Sequence, residues 1–260
     1  MKHTFAISAY GDSPYLESCI KSLVGQSVKS DIIICTSTPS DYIDMMAEKY
    51  ELPVYVRNGE PGIGYDWNYA YAKADGDLVT IAHQDDIYQH DYVKTLMEAK
   101  EKYPDMSVFM TSSITIKDGK LIKFGEIEIV KKLLRMPLRL KVLNHISAVK
   151  KAAITFGNPV ICPSCAYDKK LCGDNLFNTQ YQFVIDWDAL YRLASETGRW
   201  ICVEKPLIMY RVHPDAATGE AIKNNVREYE ETEMFERMHS DKVSGVLRKA
   251  YKKSYDAYRE

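Results

Sequence analysis

Hydrophobic and polar positions alternate in short blocks through the first 115 residues, and the blocks change period as they go. Phe5-Ala6-Ile7-Ser8 is a strand-like run. Ser13-Pro14 then predicts a helix start, with Ser13 as N-cap and Pro14 at the first helical position, and Leu16, Ile20, Leu23 and Val24 form an apolar stripe behind it. Ile32-Ile33-Ile34-Cys35 reads as a buried strand, Tyr42 to Tyr50 as a helix and Val54-Tyr55-Val56 as another strand. Gly59, Gly62 and Gly64 mark a loop before helical spacing over Tyr65 to Ala74. Asp77-Leu78-Val79-Thr80-Ile81-Ala82 is an apolar strand that runs into His83-Gln84-Asp85-Asp86. A helix over Asp91 to Lys102 and a β-rich stretch over Val108 to Ile116 complete this part. Strands alternating with helices predict an α/β fold with a mostly parallel sheet flanked by helices. Ligands of such sheets sit beyond the carboxyl ends of the strands, which is where the acidic tetrad falls.

After Ile116 the rhythm changes. Asp118-Gly119 reads as a turn. Ile129 to Leu143 has helical spacing with Lys131, Lys132, Arg135, Arg139 and Lys141 interleaved among apolar residues, and Pro137 is expected to kink or divide it. It reads either as a surface helix or as a patch that meets an anionic membrane. Asp186 to Thr197 is a further helix, and Ala221 to Glu260 a long polar helical tail.

Composition narrows the class. The 260 residues are 46% hydrophobic and 27% charged, ordinary for a globular protein with a substantial core. A net charge of −2 gives no support for a nucleic-acid partner. No run approaches the ~18 apolar residues of a membrane span. Met1-Lys2-His3-Thr4-Phe5 runs straight into a strand, so no signal peptide is expected and the predicted location is cytoplasmic, with the inner membrane face as the site of any contact through 129–143. Six cysteines include Cys162-x2-Cys165 with Cys172 nearby, but no fourth ligand stands at zinc-ribbon spacing, and buried reduced thiols are the expectation.

The chemistry begins at the tetrad. Two adjacent carboxylates at the end of a buried strand call for a partner, and Mg2+ or Mn2+ with bound phosphates suits hard oxygen ligands. A solvated loop capping the next helix is the plainer account.

The order of motifs then resembles the family 2 glycosyltransferases of the GT-A fold over about residues 4 to 215. Phe5 to Leu16 is similar to the family's opening strand and loop, and Ser22-Leu23-Val24-Gly25-Gln26-Ser27 to its "SLLxQT" segment. Gly62-Ile63-Gly64-Tyr65-Asp66-Trp67-Asn68-Tyr69-Ala70 resembles "GxxxARNxG", and His83-Gln84-Asp85-Asp86 occupies the place of "DxDD". Ile185-Asp186-Trp187-Asp188-Ala189-Leu190-Tyr191-Arg192-Leu193 looks like "EDWDLWLRL", and Glu204-Lys205-Pro206-Leu207-Ile208-Met209-Tyr210-Arg211-Val212-His213 like "EPLxxYRxH".

The resemblance implies a nucleotide-sugar-binding half over 1–115, an acceptor-binding and catalytic-base half over 116–215, and a helical C-terminal extension over 216–260. It implies inverting transfer from a nucleotide-diphosphate sugar to a glycan or lipid-linked acceptor, in cell-surface polysaccharide synthesis. Asp85 becomes the metal ligand, with Asp86 and His213 as supplements. Asp186 becomes the general base, while Asp188 is read as a charge at a helix start. Ser8, Tyr10, Asp12, Ser37, Trp67, Asn68, His83, Gln84 and Arg211 line the donor site. Trp67 is expected to stack on a base or sugar, Asn68 to orient Asp85 or a ribose hydroxyl, and Arg211 to meet the diphosphate. Asn158-Pro159 and Pro163-Ser164 resemble an acceptor-side "GNxxxxPS" stretch.

Two positions depart from the family pattern. His83 stands where an acid is usual, and Cys35-Thr36-Ser37-Thr38 follows the second strand where base-binding acids are expected. These departures admit a rival, a GT-A domain that binds nucleotide-sugar without catalysing. A metal-dependent nucleotidyltransferase or phosphohydrolase is a weaker rival, because Gly59-Glu60-Pro61-Gly62-Ile63-Gly64 lacks the lysine and spacing of a phosphate-binding loop.

Overall fold

A computed structural model describes residues 1–117, 119–122, 125–213, 216–252 and 255. Its elements in chain order are β1 (His3–Ala9), α1 (Leu16–Val24), β2 (Asp31–Thr36), α2 (Asp41–Tyr50), β3 (Val54–Val56), α3 (Ile63–Lys73), β4 (Leu78–His83), β5 (Ile87–Tyr88), α4 (Tyr92–Lys102) and β6 (Met106–Lys117). There follow β7 (Lys120–Ile122), α5 (Glu126–Leu134), a 3-10 turn (Met136–Arg139), α6 (Ser147–Ile154), β8 (Ala166–Asp168), α7 (Lys169–Cys172), α8 (Ile185–Leu193), β9 (Arg199–Val212), α9 (Ala217–Lys223), α10 (Val226–Met238) and α11 (Asp241–Lys252).

One curled mixed sheet runs β3-β2-β1-β4-β8-β6-β9-β5, with β7 beside β6. The expected parallel core is β3-β2-β1-β4, and β6 and β9 form a second parallel pair. Short β8 joins the two blocks, antiparallel to both β4 and β6. The period of two along each strand divides the interior. Phe5, Ile7, Ile34, Ala82 and Phe109 face a core closed by α1, α2 and α4. Ala6, Ile33, Val79, Ile81 and Met110 face a second core closed by α3, α6, α8 and α10. Both faces being covered explains why the central strands are almost wholly apolar.

Several local expectations are corrected. Ser13 does not cap α1, which starts at Leu16 with Tyr15 in the capping place; the Ser13 hydroxyl accepts from the Tyr15 amide and donates to Asp85. Pro137 divides the 129–143 segment into α5 and the 3-10 turn. α8 ends at Leu193 rather than Thr197. Among the described residues the polar tail forms three helices from Ala217 onward, with a break at Asn225, which is left-handed with φ 58°. Asp118 of the predicted turn, and residues 253, 254 and 256–260 of the tail, lie outside the described residues. No helix among the described residues is long and apolar enough to cross a membrane.

Candidate active site

Strand register builds the first wall. Ser8 on β1 stands opposite Cys35 on β2 and His83 on β4, so all three strands end at one level. The loops that follow are tied together there. Gln84 accepts from the Tyr10 amide at 3.0 Å and donates to the Tyr10 carbonyl at 2.9 Å. The Gly11 amide donates to Thr38 Oγ1 at 2.7 Å, and Ser40 donates to Asp12 Oδ1 at 2.6 Å. Gln84 and Asp12, expected at the donor, are thus also spent on holding these loops.

The end of β9 brings in the second wall. The Arg211 amide donates to Asp86 Oδ1 at 2.9 Å, and Arg211 Nε donates to the Asp85 carbonyl at 2.9 Å. The Arg211 guanidinium lies 4.3 Å from the centre of the Tyr15 ring. His213 packs on the same ring, 5.0 Å between centres. Its Nε2 stands 3.2 Å from Asp85 Oδ2, without the alignment of a hydrogen bond. Asp85 and His213 are 128 positions apart in the chain, and β4 and β9 deliver them to one point.

Asp86 is buried and its carboxyl is held well above the usual range by desolvation, with the Arg211 amide pulling the other way. Burial lowers the His83 imidazole to about 4, against a small opposing pull from Asp85. His83 is therefore neutral near pH 7. Trp67 stacks on it, with ring centres 5.0 Å apart and 28° between planes. One face of Trp67, the residue expected to stack on a base or sugar, is thus occupied by His83. Asn68, expected to orient Asp85 or a ribose hydroxyl, donates from its amide to the Phe177 carbonyl at 2.7 Å and accepts from the Phe177 amide at 2.9 Å, which fastens α3 to the 174–180 loop.

The geometry adds residues that sequence reasoning passed over. Asp66 of α3 reaches the end of β2, accepting from Ser37 Oγ at 3.1 Å and from Arg57 Nε at 2.6 Å. It sets a carboxylate beside the strand end that lacks one of its own. The Arg57 and Asp66 charges flanking a glycine-rich loop were the available signal. Tyr15, which carries Arg211 and His213, had none.

The divalent cation expected from the motif can be tested on the donor set. His83 Nε2, Asp86 Oδ2 and both ring nitrogens of His213 are buried without a hydrogen-bond partner, which is costly unless something else meets them. Among the described residues no three His, Cys, Asp or Glu side chains form a ready cation cage. Asp85 and His213 offer two ligands, which fits an ion completed by phosphate oxygens and water.

Asp186 lies in the first turn of α8. Burial raises its carboxyl to about 6, while the Trp187 amide and the Asn158 side chain favour the charged form. Asn158 Nδ2 donates to Asp186 Oδ2 at 2.9 Å, which joins the "GNxxxxPS" stretch to the candidate base. Asp188, one turn-face away, is buried and paired with Arg192 and Arg237, each at 2.8 Å. Its role is to bind α8 to α10. Glu230 of α10 accepts from the amides of Gln182, Phe183 and Val184 at 2.8, 2.8 and 3.0 Å and so secures the entry to α8. The Asn158 amide donates to Tyr251 Oη of α11 at 3.0 Å. The six cysteine thiols are free, and all but Cys172 are buried.

The sequence model described as "Glycosyl transferase family 2" matches residues 4–166. No curated protein matches the chain. Solved structures do. S. aureus TarS 1-349 in complex with UDP aligns with TM-score 0.60 at 16% identity, covering 89% of this chain and 65% of that one, so the chain spans under two thirds of its length. Mannosyltransferase PcManGT from Pyrobaculum calidifontis, with GDP-Man and Mn2+, aligns with TM-score 0.66 at 14% identity over 96% of this chain and 69% of that one. Glucosyl-3-phosphoglycerate synthase from Mycobacterium tuberculosis, with Mn2+ and UDP-Glc, gives TM-score 0.53 at 14% identity over 88% and 77%. At these identities the likeness is one of fold, and the fold is GT-A.

Proposed function

The chain belongs to glycosyl transferase family 2, and from that premise we propose that it moves a sugar, with inversion, from a nucleotide diphosphate to a hydroxyl of a glycan or lipid-linked acceptor in cell-surface polysaccharide synthesis. The observation that carries the reading is the approach of His213 to Asp85 at 3.2 Å, at the strand ends where a GT-A fold receives its donor. Ser8, Tyr10, Asp12 and Ser37 line the nucleotide side, with Asp66 beside Ser37. Arg211 stands where the diphosphate leaves. Asp85 and His213, with Asp86 behind them, would hold Mn2+ or Mg2+, which supplies charge neutralisation at the departing diphosphate. Asp186 takes the proton of the acceptor hydroxyl as that oxygen attacks the anomeric carbon from the face opposite the leaving group.

The test is a panel of UDP-, GDP- and dTDP-sugars with Mn2+, reading nucleotide diphosphate release and calorimetric binding. One donor is expected to turn over with wild type. Asp85→Ala or chelation is expected to abolish turnover while the fold persists. Full activity in both would remove the cation from the reaction. Binding without release or transfer would leave a nucleotide-sugar-binding domain.

A further inference from the structure

We infer that the segment from Ile129 to Ile146 is a docking face for an anionic lipid bilayer, which deepens the proposed function by committing its acceptor to one presented at a membrane. The segment is seated from within. Arg135, Leu138 and Asn144 are buried, and Arg135 donates to the Pro159 carbonyl at 2.9 Å and to Glu204 at 3.2 Å. Arg199 binds the Asn144 side chain at 2.9 Å and the Lys141 carbonyl. An anchored segment has had the chance to turn its apolar side chains inward, yet Ile129, Val130, Leu133, Met136, Leu140 and Val142 are each more than half exposed. Apolar surface concentrated on one short stretch marks an interaction site.

Charge identifies the occupant. Residues 129–146 hold five Lys and Arg and no Asp or Glu, in a chain whose net charge is −2. Lys132, Arg139 and Lys141 are exposed among the apolar residues. Interleaved basic and apolar side chains suit the headgroup boundary of an anionic leaflet, where the apolar groups enter and the cations stay at the phosphates. Glu128, just before the segment, is tied to Lys131 at 3.5 Å, so the charges left exposed among these apolar residues are cationic, as an anionic surface requires and a mixed-charge protein partner does not.

Position supports the same occupant. Pro159, held by Arg135, directly follows Asn158, which binds the candidate base Asp186. The face thus adjoins the acceptor side of the cleft, and a lipid-linked acceptor would arrive beside Asp186 with its lipid still in the bilayer.

The experiment is co-sedimentation with phosphatidylglycerol vesicles and with phosphatidylcholine vesicles, without any nucleotide sugar. Wild type is expected to pellet with the anionic vesicles only, less so at high salt. Neutralising Lys132 as Lys132→Gln should weaken binding about fivefold. Leu133→Glu with Leu140→Glu should abolish it at unchanged melting temperature and circular dichroism, since both side chains are exposed. Wild type remaining in the supernatant, or the double variant binding as well as wild type, overturns the inference. So does a wild-type dimer in ultracentrifugation that the double variant converts to monomer, because a second copy would then cover the face. Pelleting is read without turnover, so its failure leaves the transfer reading standing, and loss of transfer leaves the docking face standing.

Discussion

Asp186 carries the strongest residue-level prediction because its environment pulls in two directions. Desolvation lifts the carboxyl to about 6, and the Trp187 and Asn158 donors oppose that lift. A general base works as the carboxylate, so turnover is expected to rise with pH through about 6 and level off above it. Asn158→Ala removes a donor that favours the charged form, so the acidic limb should move to higher pH. A kcat profile of both proteins checks this; a limb that does not move separates Asn158 from the base. Asp186→Asn should lower kcat by about 10²–10⁴-fold, with donor affinity by calorimetry unchanged. Trp67 and His83, both expected at the donor site, prove to be one feature, since the rings stack. A double-mutant cycle of Trp67→Ala and His83→Ala in urea should show a coupling of about 1 kcal/mol; additivity would make the stacking incidental. Sequence reading named both residues and could not pair them, because residues 16 apart on a helix and a strand meet only when α3 packs across β4. Nor could it foresee the partner of Asn68, Phe177, which is 109 positions away.

At the scale of elements, the helix that carries Asp186 depends on a distant acid. Glu230 meets three consecutive amides before α8, and no local cap does so. Glu230→Ala should cost about 2–3 kcal/mol, because charged-acceptor hydrogen bonds are lost and donors are left unmet. It should also lower kcat more than donor affinity, since the lost contact orients the base and not the nucleotide. Thermal melts and steady-state kinetics together check this; an unchanged kcat in folded protein would confine Glu230 to stability. Gly157 makes a similar point. Its φ is +131°, and a Cβ there would run into the Tyr251 ring, so α11 is seated on the backbone beside Asn158. Apart from the two-residue β5, the strands and helices up to Ile116 were legible because each buries a face and prints that face as a period of 2 or 3.6. α6 was missed since its burial is confined to Lys150, Ala153 and Ile154, and Lys150 is buried by donating to the Leu193, Glu196 and Gly198 carbonyls. The tail read as one helix because Asn225, whose left-handed turn separates α9 from α10, is a polar residue in a polar run.

For the whole molecule, the consequence is that the helices over 217–252 pack as part of the body that carries α8. α10 buries Met234 and Phe235 against Trp187, supplies Arg237 to the buried Asp188 and supplies Glu230 to the approach of α8. Fully burying two such apolar side chains is worth about 1.5–3 kcal/mol each. Stripping one partner from a buried ion pair costs about 3–5 kcal/mol where no other remains, and less here because Arg192 stays on Asp188. With the Glu230 contacts added, the loss approaches the roughly 5–15 kcal/mol that holds a domain folded. A chain ending at residue 215 is therefore expected to lose cooperative unfolding and to aggregate. The parallel block β3-β2-β1-β4 and its own helices keep their contacts in that truncation, so loss should begin at α8, with Trp187 reporting it. Fluorescence and calorimetric melts of the 1–215 chain check the claim. A soluble monomer melting at the wild-type temperature would show that the extension is an appendage and that Asp186 is positioned without it.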